Sequence, residues 1–208
     1  INIPNSVTTI GEQAFTCCIS LTNITIPSSV TTIGKWAFAG CKSLTNITIP
    51  SSVTTIGNQA FTGCISLTNI TIPSSVVAMI GNPFKGWHGD LHNESKAFIY
   101  ENHVLFNKDK TTLIAYRAKE TNYVIPNGIS RIGDYAFWGC KSLTCINIPN
   151  RVTTIGKGAF AQCKSLTSIN IPNSITTIEN WAFRGCNLPS HIQSDIIQRF
   201  GKKCFYFV

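Results

Sequence analysis

The sequence is poor in charge, and poorest in acid. Charged residues make up 12% of its 208 residues, about half the usual ~25%. Nine Asp and Glu stand against 17 Lys and Arg, giving a net charge of +8. Disorder needs low hydrophobicity with high net charge, and a hydrophobic fraction of 43% excludes it. No apolar run approaches the ~20 residues that span a bilayer, so no transmembrane segment is expected. The single Met is Met79, and the chain opens at Ile1 with no n-region or h-region. A processed or truncated form is the expectation. There is no G-x-S-x-G, no H-E-x-x-H and no P-loop. With so few acids, and none recurring at outward strand positions, the chain reads as non-enzymatic and free of cofactors. Nine Cys is an odd number in a chain long for a disulfide framework.

What is present is a repeat. Ile-Thr-Ile-Pro-Ser-Ser-Val begins at Ile24, Ile47 and Ile70, a period of 23 residues. Pro4, Pro27, Pro50 and Pro73 keep it, and Pro126, Pro149 and Pro172 resume it. So do Cys18, Cys41, Cys64, Cys140, Cys163 and Cys186, and a Phe from Phe15 to Phe183 in each of seven copies. In the unit 44–66, Ile47 and Ile49 alternate with Asn46 and Thr48, the period of a strand. Pro50 ends that strand for want of an N–H. Val53 and Ile56 form a second short apolar pair, Gly57 reads as a turn, and Ala60, Phe61 and Cys64 point inward. One copy cannot bury these positions alone, whereas stacked copies can. The fold class is a repeat solenoid, mostly β with short turns and 3-10 segments.

The pattern Leu-x-x-Ile-x-Ile-Pro-x-x-Val-x-x-Ile-Gly-x-x-Ala-Phe-x-x-Cys resembles the BspA-like class of leucine-rich repeat over nearly the whole chain. The resemblance implies a curved right-handed coil with a parallel sheet on its concave side. It also implies a secreted or surface-anchored protein, often an adhesin.

The period breaks once. The fourth copy gains a residue in Val76-Val77-Ala78-Met79-Ile80, and Trp87 sits near its missing Cys slot. Val104–Phe106 and Leu113–Tyr116 flank a polar Asn107-Lys108-Asp109-Lys110, which predicts a β-hairpin. We read 1–208 as a single leucine-rich repeat domain. It comprises N-terminal repeats 1–90, an irregular coil with the hairpin at 91–123, C-terminal repeats 124–187 and a cap 188–208. In the cap, Ser190 and Gln193 match a capping box. Ile192, Ile196, Ile197 and Phe200 share a helical face, and Gly201 ends the helix. Cys204 to Val208 is apolar enough for burial. The chain begins inside a repeat, so further repeats before Ile1 are expected. Glu179 stands where the other copies keep the turn Gly. Either that turn needs no positive φ, or the last coil bends differently.

Candidate sites follow from the coil. The outward residues of the first strand, on the face that the resemblance makes concave, are Asn23, Thr25, Asn46, Thr48, Asn69, Thr71, Asn147 and Asn170. A repeat stacks like on like, and like charges ~5 Å apart repel by roughly 0.8 kcal/mol even in water. Neutral Asn, Ser and Thr avoid that cost, which gives the low charge a cause. The ladder is a binding platform for a protein or glycan, or merely solvated. Of the net charge, +6 falls after residue 123, where nine bases meet three acids. Lys141, Arg151, Lys157 and Lys164 form a candidate basic patch, or simply solubilising charge. Its aromatics match no nucleic-acid motif, so no nucleic acid is expected. His88, Asp90 and His92 are the one metal-capable cluster, set against a plain polar loop; no metal is expected. The Cys ladder reads as small buried hydrophobes, with Cys17, Cys145 and Cys204 as free thiols off the ladder. Gly156-Lys157-Gly158 with Ala161 mimics a dinucleotide fingerprint, but lacks a surrounding βαβ unit. The reading is a secreted or cell-surface binding protein that adheres to host proteins, cells or glycans. A structural spacer in a larger surface protein and a carbohydrate-binding module are the alternatives.

Overall fold

A computed structural model describes residues 1–206. It is a β-solenoid of stacked coils, and backbone packing divides it into two compact units, Ile1–Tyr100 and Glu101 onward. Each regular coil runs through three walls. In the first wall, Asn and Thr face solvent and the Ile between them is buried, as in Asn46-Ile47-Thr48. Pro50 then opens a turn closed by the Val53 amide on the Pro50 carbonyl at 3.0 Å. The second wall is a two-residue strand whose Ile is buried. The third wall is a run of turns carrying Phe61 and Cys64 into the core.

In the first unit these walls give β1 (Thr9–Ile10), β2 (Asn23–Thr25), β3 (Thr32–Ile33), β4 (Asn46–Thr48), β5 (Thr55–Ile56), β6 (Asn69–Ile72), β7 (Ala78–Met79) and β8 (Asp90–Asn93). Then β9 (Phe98–Glu101) runs across the division. The second unit holds β10 (Val104–Asn107), β11 (Thr112–Tyr116), β12 (Asn122–Val124), β13 (Arg131–Ile132), β14 (Cys145–Asn147), β15 (Thr154–Ile155), β16 (Ser168–Ile169) and β17 (Thr177–Ile178). Helix α1 (Ser190–Phe200) and a 3-10 turn (Lys202–Cys204) follow. First-wall strands pair in parallel, β2 with β4, β6 with β8, β12 with β14, and β14 with β16. Second-wall strands do likewise in the orders β1-β3-β5-β7 and β11-β13-β15-β17. The register is one full repeat, so Asn23 meets Asn46 and Thr32 meets Thr55. The expected hairpin is β10 against β11, antiparallel, with Val104 opposite Tyr116. Its turn is held by the Asn107 carboxamide, which accepts from the Thr111 and Thr112 amides at 2.9 and 2.7 Å.

The third wall alternates its amides. Those of Ala37, Ala39 and Cys41 close turns within their own coil, while those of Trp36, Phe38 and Gly40 donate to the next coil. That alternation puts two residues per coil at positive φ: Trp36 with Gly40, Gln59 with Gly63, Tyr135 with Gly139, Gly158 with Gln162, and Trp181 with Gly185. In the regular coils the slot of Gly57 is not among them, which answers the question raised by Glu179; Gly81, in the fourth copy with its extra residue, is the exception at φ 67°. A Cβ on Gly57 would lie 2.4 Å from the Lys35 nitrogen, so this glycine lets coils touch. Glu179 fills the slot in the last coil and turns its carboxylate to Arg131 at 3.0 Å. The dinucleotide mimic is likewise a third-wall turn.

Inside, one column of rings runs through each unit. Phe15, Phe38, Phe61 and Phe84 stack at 5.3 to 6.1 Å. Tyr116, Phe137, Phe160 and Phe183 do so at 4.8 to 5.4 Å. Polar columns flank them. The hydroxyls of Ser29, Ser52, Ser75 and Ser174 each donate to a Val carbonyl one coil back, at 2.6 to 2.9 Å. The thiols of Cys41, Cys64, Cys163 and Cys186 donate to the preceding Phe carbonyl at 2.9 to 3.1 Å. These four ladder cysteines are therefore donors as well as hydrophobes.

The cap differs from expectation in three ways. Pro189, not Ser190, is the N-cap residue, and no side chain caps the helix; Gln193 instead donates to the Leu188 carbonyl at 2.7 Å. A Pro at the cap has no hydroxyl to offer, so the box cannot close. Only Ile196 of the expected helical face is fully buried. Tyr206 is exposed while Cys204 and Phe205 are buried; Phe207 and Val208 lie outside the described residues. Gly201 does end the helix, at φ 87°. The carbonyls of Lys203 and Cys204 accept from the Trp181 and Phe183 amides, as a further coil would. Phe205 packs 5.8 Å from Phe183, and Arg199 donates to the Ile171 and Pro172 carbonyls at 3.0 and 3.1 Å.

Candidate binding site

The eight ladder residues Asn23, Thr25, Asn46, Thr48, Asn69, Thr71, Asn147 and Asn170 are all exposed. Seven lie on first-wall strands, where the strand alternation turns them outward. Asn170 lies just past β16 and works differently. Its carboxamide accepts from the Ile148 amide and donates to the Ile148 carbonyl, both at 2.7 Å. It thus replaces a backbone rung, and its first role is structural.

The four predicted bases are not one patch. Lys141 and Lys164 share the corner between third and first walls. Arg151 lies between first and second walls, and Lys157 between second and third, its ammonium 4.6 Å from the Trp181 ring centre. They do share one electrostatic property. Asp134 and Glu179 both pair with Arg131 at 3.0 Å, and Asp195 pairs with Arg199 at 3.1 Å. These are all the acids after residue 123, so Lys141, Arg151, Lys157 and Lys164 have no carboxylate partner among the described residues.

The metal candidate is not assembled. Asp90 and His92 alternate with buried Leu91 on β8, His88 precedes a bend at Gly89, and His92 faces Glu94 at 3.8 Å. Among the described residues no three His, Cys, Asp or Glu side chains converge to hold a metal. All nine cysteines are free thiols, with Cys17 exposed, Cys145 half-buried and Cys204 buried. Burial pushes the Cys41 thiol to about 11 and the Cys64 thiol to about 12 from an ordinary 9.0. Held protonated as donors, the Cys41 and Cys64 thiols are poor nucleophiles and poor metal ligands.

Predicted residues do converge at one corner of the second unit. A shallow cavity of about 460 Å³ is lined by Asn127, Asn147, Ile148, Pro149, Asn150, Arg151 and Asn170. Asn147 and Asn170 come from the strand ladder and Arg151 from the predicted bases. Asn127 and Asn150 were not anticipated. They stand one residue past Pro126 and Pro149, a slot that is Asn5 in the first copy, Ser28, Ser51 and Ser74 in the next three, and Asn173 in the last. Asn127, Asn147 and Asn150 are exposed and their side chains bond to nothing else described, nor does the Arg151 guanidinium.

Comparison with known proteins now decides the family. The model of the BspA-type leucine-rich repeat region matches residues 1–91 and 115–208, in six copies. The chain belongs to the BspA-type leucine-rich repeat family. A solved leucine-rich cell surface protein from Faecalibacterium prausnitzii is similar, with a TM-score of 0.72 and 31% identity over 89% of this chain and 56% of that one. The pneumococcal vaccine antigen PcpA aligns with a TM-score of 0.75 and 27% identity, over 89% and 54% of the two chains. A leucine-rich repeat protein from Eubacterium ventriosum gives 0.70 and 31%, over 87% and 57%. The chain thus spans a little over half the length of each of these three proteins. No curated protein matches it in sequence. Solenoids of this family are typically non-catalytic, and no described helix is long and apolar enough to cross a membrane.

Proposed function

We propose that this BspA-type protein is a non-enzymatic binding protein of the cell surface or extracellular space, and that it attaches to a protein or glycan through its solenoid surface. The observation that carries the reading is a division of labour among polar side chains. Inward Ser and Cys and the outermost Thr are spent on carbonyls of the preceding coil. The Asn127, Asn147, Asn150 and Arg151 side chains are not, and they converge on one cavity. Unspent polar groups gathered in a concavity are what a ligand needs for orientation. The surface location draws support from the Faecalibacterium relative, described as a cell surface protein.

Because most bonds run from coil to coil, the solenoid also suits a passive spacer in a longer surface protein. An array of matrix proteins and glycans separates the two readings. Binding above background supports attachment, and none on either class leaves the spacer.

A further inference from the structure

Arg151 stands out against its own siblings. Its slot follows Asn150 and precedes Val152; in five other coils that slot is a serine, Ser6, Ser29, Ser52, Ser75 or Ser174, and in one it is Gly128. Ser29, Ser52, Ser75 and Ser174 each donate to the carbonyl one coil back. Arg151 makes no such bond; it is exposed, and its side chain has no partner described. A stacking contact kept elsewhere is given up here for an outward cation. Departures of this kind, where a local rule is broken without an internal gain, mark functional positions.

The surroundings narrow the ligand. Three carboxamides line the same cavity without protein partners, each with two donors and a two-lone-pair acceptor, the complement of vicinal hydroxyls. Asn170, fixed on both sides by Ile148, stiffens one wall. The guanidinium adds a planar fork matched to a carboxylate. No lysine and no aromatic ring lines the cavity. A nucleic acid would call for several cations along its backbone and rings for its bases. Nor does any acid line the cavity to repel an anion, and the second unit carries the excess of base.

We infer that the corner at Pro149 is a subsite for a carboxylated sugar residue of an acidic glycan. In it, Arg151 binds the carboxylate and Asn127, Asn147 and Asn150 bind ring hydroxyls. This rests on the binding reading above and names its ligand class.

The test titrates the full chain with trigalacturonic acid and with its methyl ester, which keeps the hydroxyls and removes the charge. The free acid is expected to bind at least about tenfold more tightly, the contribution of one charge-assisted bidentate pair. It should shift the amide resonances of residues 147–151. Arg151→Ser is the decisive variant, because it restores the residue of the sibling coils. It is expected to abolish the preference for the acid while keeping or raising Tm, by roughly 2–4 °C if the stacking bond re-forms. Asn150→Ser should weaken acid and ester alike. Equal binding of acid and ester, no binding of the acid, unaltered preference in Arg151→Ser, or displacement by equimolar inorganic sulfate would each overturn the subsite. If the array still captures a ligand in that event, only the subsite falls and the wider attachment role stands.

Discussion

Gly57 and Gly11 occupy one slot of the repeat but different surroundings. A Cβ on Gly57 would meet Lys35 and Gly34 backbone at 2.4 and 2.5 Å, whereas nothing lies within 4 Å of one on Gly11. Neither has positive φ. Gly57→Ala should therefore cost about 1–3 kcal/mol by overpacking, and Gly11→Ala almost nothing; thermal melts of the pair check it. Equal losses would mean that the turn conformation, not coil contact, selects glycine. The spacing of these glycines was plain in the sequence, but their reason was not, because it lies in a coil 23 residues away. The thiols make a second residue-scale prediction. Cys41 and Cys64 keep their protons to about 11 and 12 in the fold, against 9.0 ordinarily. Their contribution to stability is full below about pH 9 and is lost as pH climbs through 11 to 12, where the unfolded chain releases protons first. Melts between pH 8 and 11 should show a steeper decline in the wild type than in a Cys41→Ala, Cys64→Ala variant; parallel declines would count against buried, protonated donors.

Among elements, α1 shows how a helix of modest local merit is held in place. It has no side-chain cap and one fully buried residue. Arg199 ties it down, using carbonyls of Ile171 and Pro172 that no further strand takes up. Arg199→Ala should lower stability by about 1 kcal/mol and speed hydrogen exchange in α1 before the coils. Exchange unchanged in α1 would show that Phe205 packing suffices. The periodic Ile residues made this helix legible, and Gly201 marked its end. Its start was misread because Ser190 and Gln193 fit a capping pattern whose geometry Pro189 pre-empts. The hairpin β10–β11 was read correctly because turn polarity and strand apolarity are both local. The positive φ at Trp36 and Trp181 could not be read, since an unusual backbone is imposed there by hydrogen bonds to other coils.

For the whole molecule, low charge is the expression of stacking. Inward Ser and Cys serve carbonyls of the preceding coil, and the outward ladder of Asn and Thr stacks without like-charge repulsion. The period exposed the solenoid, its two strand walls and its inward columns. The site was legible only in pieces. Asn147, Asn170 and Arg151 were picked out for separate reasons, and their meeting depends on the Pro149 corner, which brings one strand's end against the next coil. Asn127 and Asn150 were not legible, because the slot after the strand proline varies between Asn and Ser along the chain and only the folded corner brings these two together.

Attachment through that corner requires it to be a binding surface. The most direct measurement takes a ligand captured on the matrix-protein and glycan array. Its affinity is compared for the wild type, for Asn147→Glu with Asn150→Glu, and for Asn46→Lys with Asn69→Lys on the first unit. The first variant should bind at least about tenfold more weakly, with Tm unchanged and the second variant near wild type. Undiminished affinity in a folded Asn147→Glu, Asn150→Glu protein would contradict attachment through that corner.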